Sequence, residues 1–298
     1  MIGIKPPKTP NDIREKLNNL YIEDIISPEG WKCKFEKQCA NSCNLYGKEL
    51  LFPIGAMVGD FYEKHKILFI GINSNDGAKG PEDFYACYEW LQIKSIAISK
   101  VIWYLTQRLT GEQNAEIGEA MDRIAFTNCV KCSVDKEAGT PTRVMYNNCI
   151  MKLEIMIKEI TILKPKLIIC LGDPPFWAIQ SCFIDSVELI KKEHKVNGFN
   201  EWMFKFHSDN ESINVIRLFN PGRGHIRVNK IYNNLHIDSY KLPENWRKFV
   251  ATYTNSGSRL ANELTNKFKM KDSADIINPF YDAMIEAMMS EIGLKYYY

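Results

Sequence analysis

Four short apolar runs, each stopping at a glycine or an asparagine, constrain this chain more than any other feature. They are Lys66-Ile67-Leu68-Phe69-Ile70 before Gly71, Ile124-Ala125-Phe126-Thr127-Asn128, Lys166-Leu167-Ile168-Ile169-Cys170-Leu171 before Gly172, and Asn214-Val215-Ile216-Arg217-Leu218-Phe219 before Asn220-Pro221-Gly222. A continuous apolar run too short for a helix reads as a strand covered on both faces. Between these runs, residues 82–109 carry helical spacing through Trp90, Leu91, Ile98, Val101, Ile102 and Leu105. Asn148 to Ile162 reads as a second helix, with Leu153, Ile157 and Ile160 on one face. Strands alternating with helices predict parallel βαβ units and an α/β fold. Ligands of such sheets bind beyond the carboxyl ends of the strands, which is where all four runs release polar loops.

The chain has 298 residues, room for one large domain or a domain with an extension. Its 45% of apolar residues is enough for a real core and excludes a disordered chain. A formal net charge of +2 neither demands nor excludes a nucleic-acid partner, because local basic patches matter more than the total. No apolar run approaches the roughly 18–20 residues of a membrane span, and Met1 to Lys8 holds no secretory core. The expectation is a soluble, cytoplasmic protein with no membrane partner. Residues 1–30 are polar apart from an amphipathic stretch from Asp12 to Ile26. Near residue 243 the pattern changes: Pro243-Glu244-Asn245-Trp246 can open a helix, and Asp275 to Leu294 contains another, with no catalytic constellation. The predicted division is an α/β domain over 1–240, including the early cysteines, with a helical extension over 241–298 packed on it.

Nine cysteines, an odd number without an export signal, speak for metal binding or scattered core thiols rather than disulfides. Cys33, Cys39 and Cys43 lie in a polar, lysine-containing stretch over 31–48 that buries little by itself and needs something else to order it. Sixteen residues separate Cys132 from Cys149. Cys87, Cys170 and Cys182 sit in apolar or helical settings and read as small buried hydrophobes. Cys129 fits either class.

Four segments taken together resemble the uracil-DNA glycosylase superfamily. Phe69-Ile70-Gly71-Ile72-Asn73 looks like the strand and Gly-x-Asn start of the first active-site motif in the mismatch-specific and single-strand-selective branches. Thr127-Asn128-Cys129-Val130-Lys131-Cys132 is similar to the Thr-Asn-x-Val-Lys-Cys segment of the iron–sulfur branches. Leu163-Lys164-Pro165-Lys166 with the strand to Gly172 looks like the Lys-Pro-Lys strand, and Leu218-Phe219-Asn220-Pro221-Gly222 stands at the place of the His-Pro loop. The resemblance spans roughly residues 31–230. It implies a three-layer α/β/α fold with a central, mainly parallel four-stranded sheet, to which the helical extension is added. It also implies a [4Fe–4S] cluster held by four thiolates, here Cys39, Cys43, Cys132 and Cys149. The early pair departs from the family, being C-x3-C rather than C-x2-C, and Cys33 is a possible replacement for either member. Zinc is the physical alternative for four thiolates.

For chemistry, the resemblance implies a monomeric, monofunctional DNA glycosylase acting on single- or double-stranded DNA. Such an enzyme flips a nucleotide into a pocket and reads its base edge. It needs a positioned water, a donor for the departing anion and a stacking wall. Asn73 matches the water-positioning asparagine, and Asp76 is the nearby carboxylate able to help activate that water, a solvated loop being its other reading. Asn128 matches the residue that pairs with the base, since an amide both donates and accepts. Phe84 or Tyr85 lies where the family stacks an aromatic on the base, although either also suits helix packing. Asn220 replaces the family's histidine, with His225 five residues on as a substitute donor. Lys131, Arg223 and Arg227 are the expected DNA contacts, solvated surface charges being the plainer reading of the two arginines. Ser74-Asn75 replaces Pro-Gly in the first loop, which turns expectation away from plain uracil.

Two substrate readings follow: a repair glycosylase for a damaged pyrimidine, and a defence glycosylase for the glucosylated hydroxymethylcytosine of phage DNA. A catalytically silent iron–sulfur protein that binds nucleic acid is a third reading, supported by Asn220 and opposed by Asn73 and Asn128. A non-DNA enzyme on a flavodoxin-like sheet is a fourth, and the lack of GxGxxG after the first strand counts against a dinucleotide.

Overall fold

The computed structural model describes residues 12–27, 30–73, 83–84, 86–92, 97–112, 114–135, 140–183, 187–188, 203–208, 211–218, 285–286 and 288–297. In chain order the elements are helix α1 (Asp12–Asp24), strands β1 (Ile26–Ser27) and β2 (Gly30–Trp31), α2 (Glu36–Asn44), β3 (Leu50–Pro53), β4 (Met57–Val58), α3 (Tyr62–His65) and β5 (Ile67–Gly71). Then come α4 (Cys87–Leu91), α5 (Ala97–Thr110), α6 (Ile117–Met121), β6 (Ile124–Asn128), β7 (Cys132–Val134) and α7 (Arg143–Tyr146). A π-turn (Asn147–Lys152) leads to α8 (Ile155–Leu163), β8 (Leu167–Leu171), α9 (Asp173–Cys182), β9 (Val187–Glu188), β10 (Met203–Ser208) and β11 (Glu211–Leu218).

The four predicted strands are β5, β6, β8 and β11, and they form the parallel centre of one sheet in the order β6-β5-β8-β11. Every residue of β5, β6 and β8 is buried, as the apolar runs of β5 and β8 required, and in β6 the burial takes in the polar Thr127 and Asn128. The sheet is wider than the four strands expected. Antiparallel β4 adds to the β6 edge, and antiparallel β10 and β9 extend the β11 edge, giving seven strands among the described residues. Lys66 at φ 53° takes a left-handed turn just ahead of β5, and Lys164 at φ 48° closes α8 in the same conformation three residues before β8.

Two predicted helices are each divided. The 82–109 segment gives short α4 and longer α5. The 148–162 segment is interrupted: Leu153 N–H donates to the Asn148 carbonyl at 3.0 Å, five residues back, and Glu154 turns left-handed at φ 56° before α8 starts. The break shifts the phase of α8, so the buried face is Ile155, Met156, Glu159, Ile160 and Leu163, while Ile157 is only half-buried. The amphipathic stretch at the start forms α1 and packs on α8. Of the C-terminal stretch, Ile285, Met288 and Met289 are buried, and the Tyr297 amide and carbonyl bond to the Arg108 carbonyl and guanidinium on α5. No helix among the described residues is long and apolar enough to cross a membrane.

Candidate functional site

The parallel register sets Gly71 of β5 directly beside Asn128 of β6, so both strands end at the same edge of the sheet. Their chains stay paired beyond that point. Cys129 N–H donates to the Gly71 carbonyl and Val130 N–H to the Ile72 carbonyl, both at 3.0 Å. Asn73 and Asn128 are thereby carried on neighbouring backbones at the carboxyl edge, Asn73 half-buried and Asn128 buried. Gly71 is required here for space. A Cβ on it would lie 2.4 Å from Asn128 Oδ1, inside any tolerable contact. Gly71→Ala is expected to push the Asn128 amide aside and cost about 1–3 kcal/mol, the usual penalty of overpacking, measured as a lower urea midpoint.

Phe84 is fully buried, its ring edge-on to Tyr21 at 5.0 Å and pressed over Gly55. It packs as a core side chain, the plainer of its two sequence readings, and offers no open face for a base. Lys131 also departs from expectation. Its side chain is 1% exposed, so it is no surface contact for DNA. Its ammonium is held by Glu159 at 2.6 and 2.7 Å, and Glu159 also accepts hydrogen bonds from the Thr127 hydroxyl at 2.9 Å and from the Tyr21 hydroxyl. Tyr21 in turn accepts from the Ala56 amide at 2.9 Å. A buried charge survives only when paired and hydrogen-bonded, and this group meets both conditions. Sequence reasoning missed Glu159; its signal was a lone carboxylate in the apolar run from Ile155 to Leu163. Asp76, Tyr85, Asn220, Arg223, His225 and Arg227 lie outside the described residues.

The second locus is a small cavity lined by Cys33, Cys39, Cys132 and Cys149, together with Phe35, Lys131, Met145 and Asn148. Its walls come from four places in the chain. Cys33 precedes α2, Cys39 lies on α2, Cys132 opens β7 and Cys149 sits in the π-turn. Strand β7 pairs with β3, Pro53 opposite Cys132, and α2 is fastened to the turn before α7 by the Ser42–Thr142 hydroxyl contact at 2.7 Å. The polar 31–48 stretch is thus ordered in part by hydrogen bonds, Lys48 to the Thr140 carbonyl at 3.1 Å among them, with Cys39, Ser42 and Cys43 buried on α2. Two donors point at sulfur: Lys131 N–H at Cys149 and the Asn148 side-chain amide at Cys39, both at 3.5 Å.

Burial raises the thiol pKa values here. Desolvation pushes Cys149 up to about 12, and pushes Cys132 well up, with the neighbouring Cys149, Cys33, Cys39 and Cys43 adding to it. Cys33 and Cys39 are raised by the same burial. Among the described residues, no group of three or more His, Cys, Asp and Glu side chains is arranged to hold a metal ion. Cys33, Cys39, Cys132 and Cys149 all line the one small cavity. Four thiols, with N–H groups directed at two of the sulfurs, are a donor set that can hold an iron–sulfur cluster or a tetrahedral zinc.

Cys87 and Cys170 are buried small side chains, and Cys182 is partly so. Cys129 joins them: its thiol donates to the Ile72 carbonyl at 3.3 Å and does not line the cavity. No protein-family model matches this chain, and no curated protein matches it.

Proposed function

We propose that this chain is a DNA glycosylase that flips a damaged or modified pyrimidine out of DNA and hydrolyses its N-glycosidic bond, leaving an abasic site. The observation that carries this reading is the pair of asparagines at one sheet edge, Asn73 after β5 and Asn128 ending β6, with Gly71 leaving room for the Asn128 amide. Asn73 would hold a water whose oxygen bonds to the anomeric carbon. The electron pair of the broken C–N bond leaves with the base, and the water's proton passes to solvent or to the departing base. Asn128, able to donate and accept, would read the pyrimidine edge. The same reading takes the fold as the three-layer glycosylase sandwich, widened here at both sheet edges. Cys39, Cys132 and Cys149 would join a fourth thiolate in holding the [4Fe–4S] cluster, whose contribution when bound is to crosslink α2, β7 and the π-turn.

The test is incubation of the purified chain with DNA containing uracil, hypoxanthine or glucosylated hydroxymethylcytosine, followed by detection of abasic sites. Abasic product is expected from uracil or from the modified cytosine. Product from the modified cytosine alone would assign the defence reading. DNA bound without any abasic product from any of the three would overturn the enzymatic reading in favour of a silent binding protein.

A further inference from the structure

We infer that Cys33, not Cys43, is the fourth thiolate of the iron–sulfur site, beside Cys39, Cys132 and Cys149. The inference rests on the cluster reading above and changes its ligand set. Cys33 lines the cavity with the other three thiols, whereas Cys43 does not. Cys43 is fully buried one helical turn beyond Cys39, and its thiol donates to Met145 Sδ at 3.6 Å. The neighbouring Ser42 hydroxyl bonds to the Cys39 carbonyl at 2.9 Å and to Thr142, which fixes this end of α2 against the turn before α7. Cys39 and Cys43 ride on one rigid helix, separated along its axis by about 6 Å. Cys33 lies instead in the turn that enters α2, where the Glu36 amide donates to its carbonyl at 3.1 Å. From there it faces the cavity beside Phe35, and a turn residue adjusts its position more readily than a second helical one.

The experiment compares the full-length wild type with Cys33→Ala, Cys33→Ser, Cys43→Ser and Cys149→Ala, all purified anaerobically. Iron and acid-labile sulfide per chain and visible absorbance are measured, with circular dichroism to check folding. Wild type is expected to carry iron and sulfide, Cys149→Ala to lose them, and Cys43→Ser to keep the full content. Cys33→Ala is expected to lose most of its iron. Cys33→Ser, nearly isosteric, covers the case of an insoluble alanine variant and is expected to show a depleted or spectrally altered cluster. Full iron in Cys33→Ala, or loss of iron from a folded Cys43→Ser, overturns the assignment. A wild-type chain without iron and sulfide overturns the cluster reading itself, a result distinct from either of those.

Discussion

Glu159→Leu should lower the stability of this protein by about 3–5 kcal/mol, the usual cost of removing one partner from a buried ion pair. The reason lies in what remains. Lys131 stays buried with its charge, and the Thr127 and Tyr21 hydroxyls lose their acceptor. The measurement is the shift in urea midpoint at constant slope. A double variant, Lys131→Met with Glu159→Leu, should recover a large part of the loss, because replacing both charges by apolar groups removes the desolvation penalty. If the double variant is as unstable as the single one, the stranded hydroxyls dominate, not the uncompensated ammonium.

Asn73→Ala should slow base excision by on the order of 100-fold or more while leaving DNA affinity nearly unchanged. Water positioning counts in the transition state, whereas binding rests largely on phosphate contacts elsewhere. Single-turnover excision and a binding titration on the same substrate separate the two. Excision as fast as wild type would mean that another group, Asp76 first, carries the water and that the first motif has been misaligned.

The central strands could be read from the sequence because burial on both faces leaves no polar residue to confuse the pattern, as in Ile67–Gly71 and Leu167–Leu171. The edge strands could not. Met57–Val58 and Val187–Glu188 are two residues each and carry no period, and Met203–Ser208 has a histidine and a serine at its end. Asn73 and Asn128 could be paired from sequence because one follows and the other ends a predicted strand, and parallel neighbours end together. Lys131 was misread for a physical reason. A lysine in a polar-looking turn is usually solvated, and the partner that buries this one lies 28 residues away on α8. The phase of α8 was lost in the same way, since hydrophobic spacing assumes an unbroken helix.

The π-turn over Asn147–Lys152 and the left-handed Glu154 after it break the helix between two buried side chains. The turn holds Cys149 toward the thiol cavity, while the stretch after it turns Glu159 toward Lys131. Each residue of an α-helix advances the side-chain direction by about 100°. An unbroken α-helix would fix the angle between Cys149 and Glu159 at about ten such steps, whereas the break lets the thiol and the carboxylate be aimed separately. The spacing between Cys149 and Glu159 is therefore a quantity of its own, as binding on the chain as the identity of either side chain.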